Sequence, residues 1–271
     1  MPNATIDTYF SGNALYGDDF AEEDIAAWYA DEKEGYANLS AAERYYAAYP
    51  YHAFNTAHGF QHLPDGPFHH ALGFGSAKGD EFAPIIDRID RLTILEPSDQ
   101  FVQATVCGTP VDYVQPDVSG TLPFAPGTFD LVTCFGVLHH IPNVSHVLQE
   151  IARCLTADGH ALIREPIISM GDWRKPRPGL TKRERGIPQQ LFRNMISTAG
   201  LSIVRERFCM FPGVSEVWAH LGRGAAYNSP LATRLDGLLS SLTRWNVSYH
   251  ARTKAGKLRP RCLYLVLRRT T

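Results

Sequence analysis

Cysteine is scarce and unclustered in this chain. Cys107, Cys134, Cys154, Cys209 and Cys262 are widely spaced, with no CxxC pair and an odd total, which argues against a disulfide framework and against a zinc site. A reducing, cytoplasmic setting without a bound metal is the expectation. An excess of one charge is also missing, because 26 Lys+Arg against 28 Asp+Glu leave a formal net charge of -2, so nothing global draws the chain to nucleic acid or an anionic membrane. No apolar run approaches the roughly 18 residues of a membrane span. The first residues lack the basic-then-apolar order of a secretory signal, so none is expected. Internal repeats and low-complexity tracts are absent as well. With 44% hydrophobic and 20% charged residues, the composition is that of an ordinary folded protein.

Residues 1–65 are rich in tyrosine, alanine and acidic side chains. Helices are expected over 24–35 and 40–49, the second opened by a Ser40/Glu43 capping box. From Phe68 the pattern changes to short apolar runs alternating with helical stretches, the signature of a parallel sheet with crossover helices. Strands are expected near 68–73, 92–96, 111–115, 129–134, 160–165, 201–208 and 262–267, and helices near 78–88, 99–106, 144–155, 188–199 and 231–243. This divides the chain into a helical segment over 1–65 and an α/β domain over 66–271, with an insertion at about 210–258 before the closing strand.

Two local features point to a cofactor. Ala71-Leu72-Gly73-Phe74-Gly75-Ser76-Ala77-Lys78-Gly79 follows the first apolar run, and glycines at such a turn let backbone approach a ligand at a helix N-terminus. Leu92-Thr93-Ile94-Leu95-Glu96 is a strand ending in a carboxylate about 20 residues later, which a doubly wound sheet places beside that turn, where it can accept from ribose hydroxyls. Together they describe a site for an adenosine-containing cofactor. A dinucleotide fingerprint wants a third glycine five residues after the first, and that position is Lys78, which counts against a nucleotide-dependent reductase or epimerase.

The run from Thr121 to Asn143, TLPFAPGTFDLVTCFGVLHHIPN, strongly resembles the fourth-strand region of class I methyltransferases of the type 11 small-molecule group. The likeness covers roughly Phe68 to Phe208 in the family's order. It implies a Rossmann-like, doubly wound seven-stranded sheet with the last strand antiparallel, S-adenosylmethionine (SAM) as cofactor, and an N-terminal helical lid. It further implies that Gly73 and Gly75 line the methionine half of SAM and Glu96 holds the ribose. Asp117 and Val118 would flank the adenine, and Phe135 and Gly136 would sit near the sulfonium. Two positions depart from the pattern: the usual acid before the first glycine is Ala71, and the usual third glycine is Ala77. They keep open a SAM-fold binding protein without catalysis.

His139 and His140 lie just past the fourth of these strands, at the carboxyl edge where ligands bind, and a neutral imidazole there can remove a proton from an acceptor hydroxyl. Glu165, ending the next strand, is a second candidate base or base-orienter. The following loop holds Arg174, Lys175, Arg177, Lys182, Arg183 and Arg185 against Asp172 and Glu184, with Trp173 as an amphipathic contact. Trp173, Arg174 and Arg177 are therefore the candidate substrate readers, for a sugar, nucleotide-sugar or other anionic acceptor.

Overall fold

The computed structural model describes residues 5–33, 35 and 49–270. Eight strands form one sheet: β1 (Ala71–Phe74), β2 (Leu92–Leu95), β3 (Thr105–Val106), β4 (Thr109–Val114), β5 (Phe129–Phe135), β6 (Leu155–Pro166), β7 (Leu201–Cys209) and β8 (Cys262–Arg269). Their order across the sheet is β3-β4-β2-β1-β5-β6-β8-β7. Neighbours from β4 to β6 pair in parallel, and β8 runs antiparallel to both β6 and β7. Apart from the two-residue β3, this is the expected seven-stranded arrangement with an antiparallel last strand.

Period-two alternation sorts the sheet's side chains onto two faces. Leu72, Val132, Ala161, Ile163, Leu263, Leu265 and Leu267 join one core, while Ala71, Leu131, Leu162, Tyr264 and Val266 join the other. On the first face lie α4 (Val144–Cys154) and α5 (Gln189–Thr198), the former burying Val144, Val147, Leu148 and Ile151 at helical spacing. The second face is covered by α3 (His52–His58) and the stretch Asp80–Arg88. N-terminal to these are α1 (Ile6–Phe10) and α2 (Glu22–Glu32). Between β7 and β8 lie α6 (Val214–His220) and α7 (Pro230–Thr243). The expected helix over 40–49 and its Ser40/Glu43 box lie outside the described residues.

Two local expectations are corrected. Residues 80–88 form tight 3-10 turns and no α-helix, because Pro84 inside the stretch has no N–H to donate. The helix expected over 99–106 is a single turn, Asp99–Phe101, followed by the β3–β4 hairpin. Its two-residue connection is Cys107-Gly108, both at positive φ (48° and 87°), the conformation of a primed hairpin turn. The helix expected over 144–155 is present as Val144–Cys154, and β6 follows it directly with an irregular start opposite the register shift in β5. No helix among the described residues is long and apolar enough to cross a membrane.

Candidate functional site

Strand order reverses between β1 and β5, since the chain steps outward from β1 through β2 to β4 and then returns to β5. Ligands in open α/β sheets bind in the crevice outside the carboxyl ends at such a switch point. The loops after β1 and β5 meet there: a Cβ added to Gly75 (φ 64°) would stand 2.6 Å from Val137 Cγ1, and one added to Gly73 would stand 2.6 Å from Ser76 Oγ. The turn is thus closed by its own packing as well as shaped for a ligand.

Glu96 stands where the sequence places it, beside that turn. Its Oε2 accepts from the Ala77 N–H at 3.0 Å and its Oε1 from the Ser98 N–H at 3.1 Å. Ala77, in the place of the family's third glycine, still adopts the left-handed conformation (φ 47°). The Tyr113 hydroxyl, donating to the Ala77 carbonyl at 3.0 Å, helps to hold a backbone state that costs about 1–2 kcal/mol in a non-glycine residue. Beneath the turn lies an acid that sequence reasoning missed. Glu81 is buried, with Thr133 Oγ1 donating to it at 3.3 Å and Ser76 as a second partner, and burial pushes its carboxyl up to about 7.

At the end of β4, Asp117 is exposed and its Oδ1 accepts from the Ser119 N–H at 2.8 Å. Hydrogen bonds from the Ser119 side chain and N–H hold the Asp117 carboxyl below its usual range. Val118 beside it leaves 41% of its surface exposed, an apolar face at the sheet edge. Phe135 packs towards Tyr264 and the buried guanidinium of Arg164, and Gly136 (φ 75°) turns the chain out of β5.

The histidine pair is held in a cage of carboxylates from distant parts of the chain. Glu165, fully buried, accepts from the N–H groups of Val137 (2.7 Å), Leu138 (2.8 Å) and His139 (3.3 Å), and from His139 Nδ1 at 2.8 Å. Its oxygens are thus engaged by the loop after β5 and by His139 Nδ1, contacts that hold the His139 ring in place. Glu32 of α2 accepts from His140 Nδ1 at 2.9 Å, from Thr181 Oγ1 and from the Arg183 N–H at 2.8 Å. Burial alone would raise the Glu32 carboxyl, but these hydrogen bonds and the His140 charge outweigh it and leave it lowered. Glu184 Oε2 faces both outer ring nitrogens, 3.7 Å from His139 Nε2 and 3.3 Å from His140 Nε2. Burial raises the Glu184 carboxyl against the attraction of His140.

The basic loop is tied to the protein. Arg185, fully buried, donates to five carbonyls, those of Tyr16, Leu138, His139, Ile141 and Pro142, and burial pulls its guanidinium down to about 10. Arg177 donates to the carbonyls of Met170, Thr181, Lys182 and Glu184, a staple across its own loop. Arg174 pairs with Asp172 at 2.8 Å, and Lys182 and Arg183 with Asp31. Trp173, 7% exposed, stacks on Tyr16 at 4.8 Å and meets Tyr9 and Phe10 edge-on. Trp28 of α2, fully buried, donates from Nε1 to the His140 carbonyl at 2.7 Å. The expected anion readers therefore have internal partners that a count of loop charges does not reveal. Glu32, Glu184 and Arg185 were missed as site residues; the one local signal was Glu184 as a single acid within Lys182-Arg183-Glu184-Arg185.

Residues 72–163 match the family described as a methyltransferase domain. Among curated relatives, the ubiquinone biosynthesis O-methyltransferase of Yersinia enterocolitica is 36% identical over 59 residues, 22% of this chain and 24% of the relative. The match thus spans about a quarter of that relative's length. A SAM-dependent methyltransferase from Mesorhizobium loti aligns with a TM-score of 0.51 at 17% identity, over 76% of this chain and 94% of that one. The [4+2]-cyclase SpnF aligns with a TM-score of 0.58 at 14% identity, over 95% and 100%; at such identities the likeness concerns fold. Strand order, turn and sequence match agree: residues 72–163 are similar to a methyltransferase domain, set within a sheet of the Rossmann-like methyltransferase fold.

Proposed function

We propose that the protein transfers a methyl group from SAM to an oxygen of a small molecule. The observation that carries this reading is the Glu96 carboxylate fixed beside the Gly73–Ala77 turn at the switch point, with the histidine pair on the adjoining loop. Glu96 would hold the ribose, Gly73 and Gly75 the methionine half, and Val118 and Asp117 the adenine. Glu81, negative when ionised and lying under the turn, supplies the acid that Ala71 does not. SAM held by these residues would supply an electrophilic methyl on a sulfonium.

The chain's residues do the rest. The cluster of His139, His140 and Glu184 takes up the acceptor's hydroxyl proton, and Glu165 and Glu32 fix the two rings for it. Helices α1 and α2, packed through Tyr16 and Trp28 against Trp173 and His140, form the lid that keeps water from this end. Alignment of two reactants can by itself lower a barrier by about 7–11 kcal/mol. Oxygen as the accepting atom is supported by relatives named O-methyltransferases. A sugar or nucleotide-sugar fits a small polar acceptor, although the loop arginines are engaged internally. Calorimetry with SAM and S-adenosylhomocysteine, followed by a screen of sugar, nucleotide-sugar and phenolic acceptors with labelled SAM, tests the reading. Binding with no labelled product across acceptor classes would favour a different reaction on this fold, of which the cyclase above is an example.

A further inference from the structure

We propose that His139, His140 and Glu184 form a binding site for one divalent transition-metal ion of the zinc class. The three residues, 139–140 after β5 and 184 in the loop after β6, each offer a ligand atom within 4.8 Å of the others.

What points to a metal is how the polar groups face one another. Glu165 accepts three backbone N–H groups and lies 2.8 Å from His139 Nδ1, and Glu32 accepts from the Arg183 N–H and the Thr181 hydroxyl and lies 2.9 Å from His140 Nδ1. With both Nδ1 atoms turned to these carboxylates, both Nε2 atoms are turned to Glu184 Oε2. Two ring nitrogens and a carboxylate gathered in a buried place form a donor set that a cation between them would satisfy.

Distances say what fits. The 3.3 and 3.7 Å separations exceed a normal hydrogen bond. Two ligands each about 2.0–2.1 Å from a tetrahedral metal stand roughly 3.3–3.4 Å apart, so both contacts to Glu184 are near ligand spacing, and the three atoms, all within 4.8 Å of one another, would close on the ion as it binds. Glu184 is 95% buried (5% exposed), and its other oxygen, Oε1, has no hydrogen-bond partner among the described residues, since the Thr181 proton is directed at Glu32. With Oε2 as the ligand atom, that orphaned oxygen can accept from a water on the metal. Each imidazole is backed by a carboxylate on its far nitrogen, the arrangement that fixes the tautomer and raises basicity in metal-ligating histidines. Two imidazoles and one carboxylate suit Zn²⁺, Co²⁺, Mn²⁺ or Fe²⁺ and leave at least one position open. The lack of paired cysteines excludes a thiolate site and says nothing against this one. With the ion bound, the two Nε2 atoms would be ligands in place of bases, and an acceptor oxygen at the open position would lose its proton to solvent, a consequence that rests on the methyl-transfer reading; the site itself does not.

The test is a titration of chelator-stripped, full-length protein with zinc chloride by calorimetry, with bound metal counted by elemental analysis and Co²⁺ as an optical probe. One equivalent per chain is expected, with visible Co²⁺ bands. Removal of a ligand in His140→Ala or Glu184→Gln should weaken Zn²⁺ about 100-fold or more, and Glu32→Gln, which only orients His140, about 10–100-fold. Circular dichroism and S-adenosylhomocysteine affinity report whether each variant is folded, and Glu184→Gln keeps the side-chain volume. Substoichiometric metal, or folded variants that bind Zn²⁺ as tightly as the parent, overturns the site. Zinc binding with these dependences but no SAM binding would leave the site standing and remove the methyl-transfer reading; SAM binding without zinc would do the reverse.

Discussion

The two ends of the candidate site are built in different ways. The cofactor end is a local construction, in which residues 73–77 form a turn and Glu96 closes on it 19 residues after Ala77. The histidine end draws Glu32, His139, His140, Glu165, Thr181 and Glu184 from four separate segments and locks them with Arg185. A backbone turn with one carboxylate can be written as a motif. A cage of buried charges exists only when the whole fold is assembled, so the two ends should fail differently when disturbed.

The largest effect is expected at Arg185. Arg185→Ala would strand five carbonyl groups in the interior and remove the tie between Tyr16 and the loop after β5. Buried groups without partners cost about 1–3 kcal/mol each, and partial hydration should limit the total to roughly 4 kcal/mol or more of lost stability. Urea unfolding measures it. A loss under about 1 kcal/mol would mean that the histidine end is not held together in this way.

Glu81 provides a pH test at the cofactor end. Its carboxyl is near 4.5 when unfolded and raised to about 7 by burial in the fold, so the native state binds the extra proton between these values. Its contribution to stability is therefore fully present below pH 4.5 and lost as pH rises through 7, by at most about 3 kcal/mol. Wild type should weaken over that window relative to Glu81→Gln, which cannot ionise, when both are melted across the pH range. Parallel curves would show that the carboxyl titrates as it does in the unfolded chain.

Glu96→Ala should weaken SAM binding by about 1.5–3 kcal/mol, because it removes a charged acceptor for the ribose and the anchor of the Ala77 N–H. Turnover at saturating SAM should change little. Glu165→Gln should show the opposite split: an amide cannot accept from His139 Nδ1 and three N–H groups together, so kcat should fall about 10–100-fold with SAM affinity kept. Paired measurements of Kd and kcat on the two variants decide whether the ends are separable. A fall in both quantities in both variants would erase the distinction between them.

The same contrast explains what the sequence made legible. The seven principal strands followed from apolar runs and turn residues, because burial on one or both faces is set by side chains a few positions apart. The helix expected over 99–106 gave way to a hairpin because Cys107-Gly108 is not one of the usual turn pairs, although both residues adopt the left-handed backbone such a turn requires. That Glu96 lies beside the Gly73–Ala77 turn was legible from spacing. Glu32 and Glu184 were out of reach for the opposite reason, since their partners His139 and His140 lie 108 and about 45 residues away. The basic loop was legible as charge but not as function: Arg177 and Arg185 act through carbonyl groups, which leave no mark in composition.

Arg174 supplies the smallest expected effect and the sharpest check on that last point. Its guanidinium is exposed and bidentate on Asp172, which lies two residues before it, and the Asp172 carboxyl is held down at about 2 chiefly by that hydrogen bond. Exposed pairs of this kind contribute little, because water screens both charges and the freed side chains regain rotamer entropy. Arg174→Ala should leave the melting temperature, SAM affinity and acceptor KM within error of the parent. If the loop instead reads an anionic acceptor, KM should rise in the variant, and the difference should shrink as salt is raised, since exposed contacts are screened within about 8–10 Å at ordinary ionic strength. Kinetics at low and high salt separate the two cases, and a salt-sensitive rise in KM would return Arg174 from a partner of Asp172 to the acceptor's binding surface.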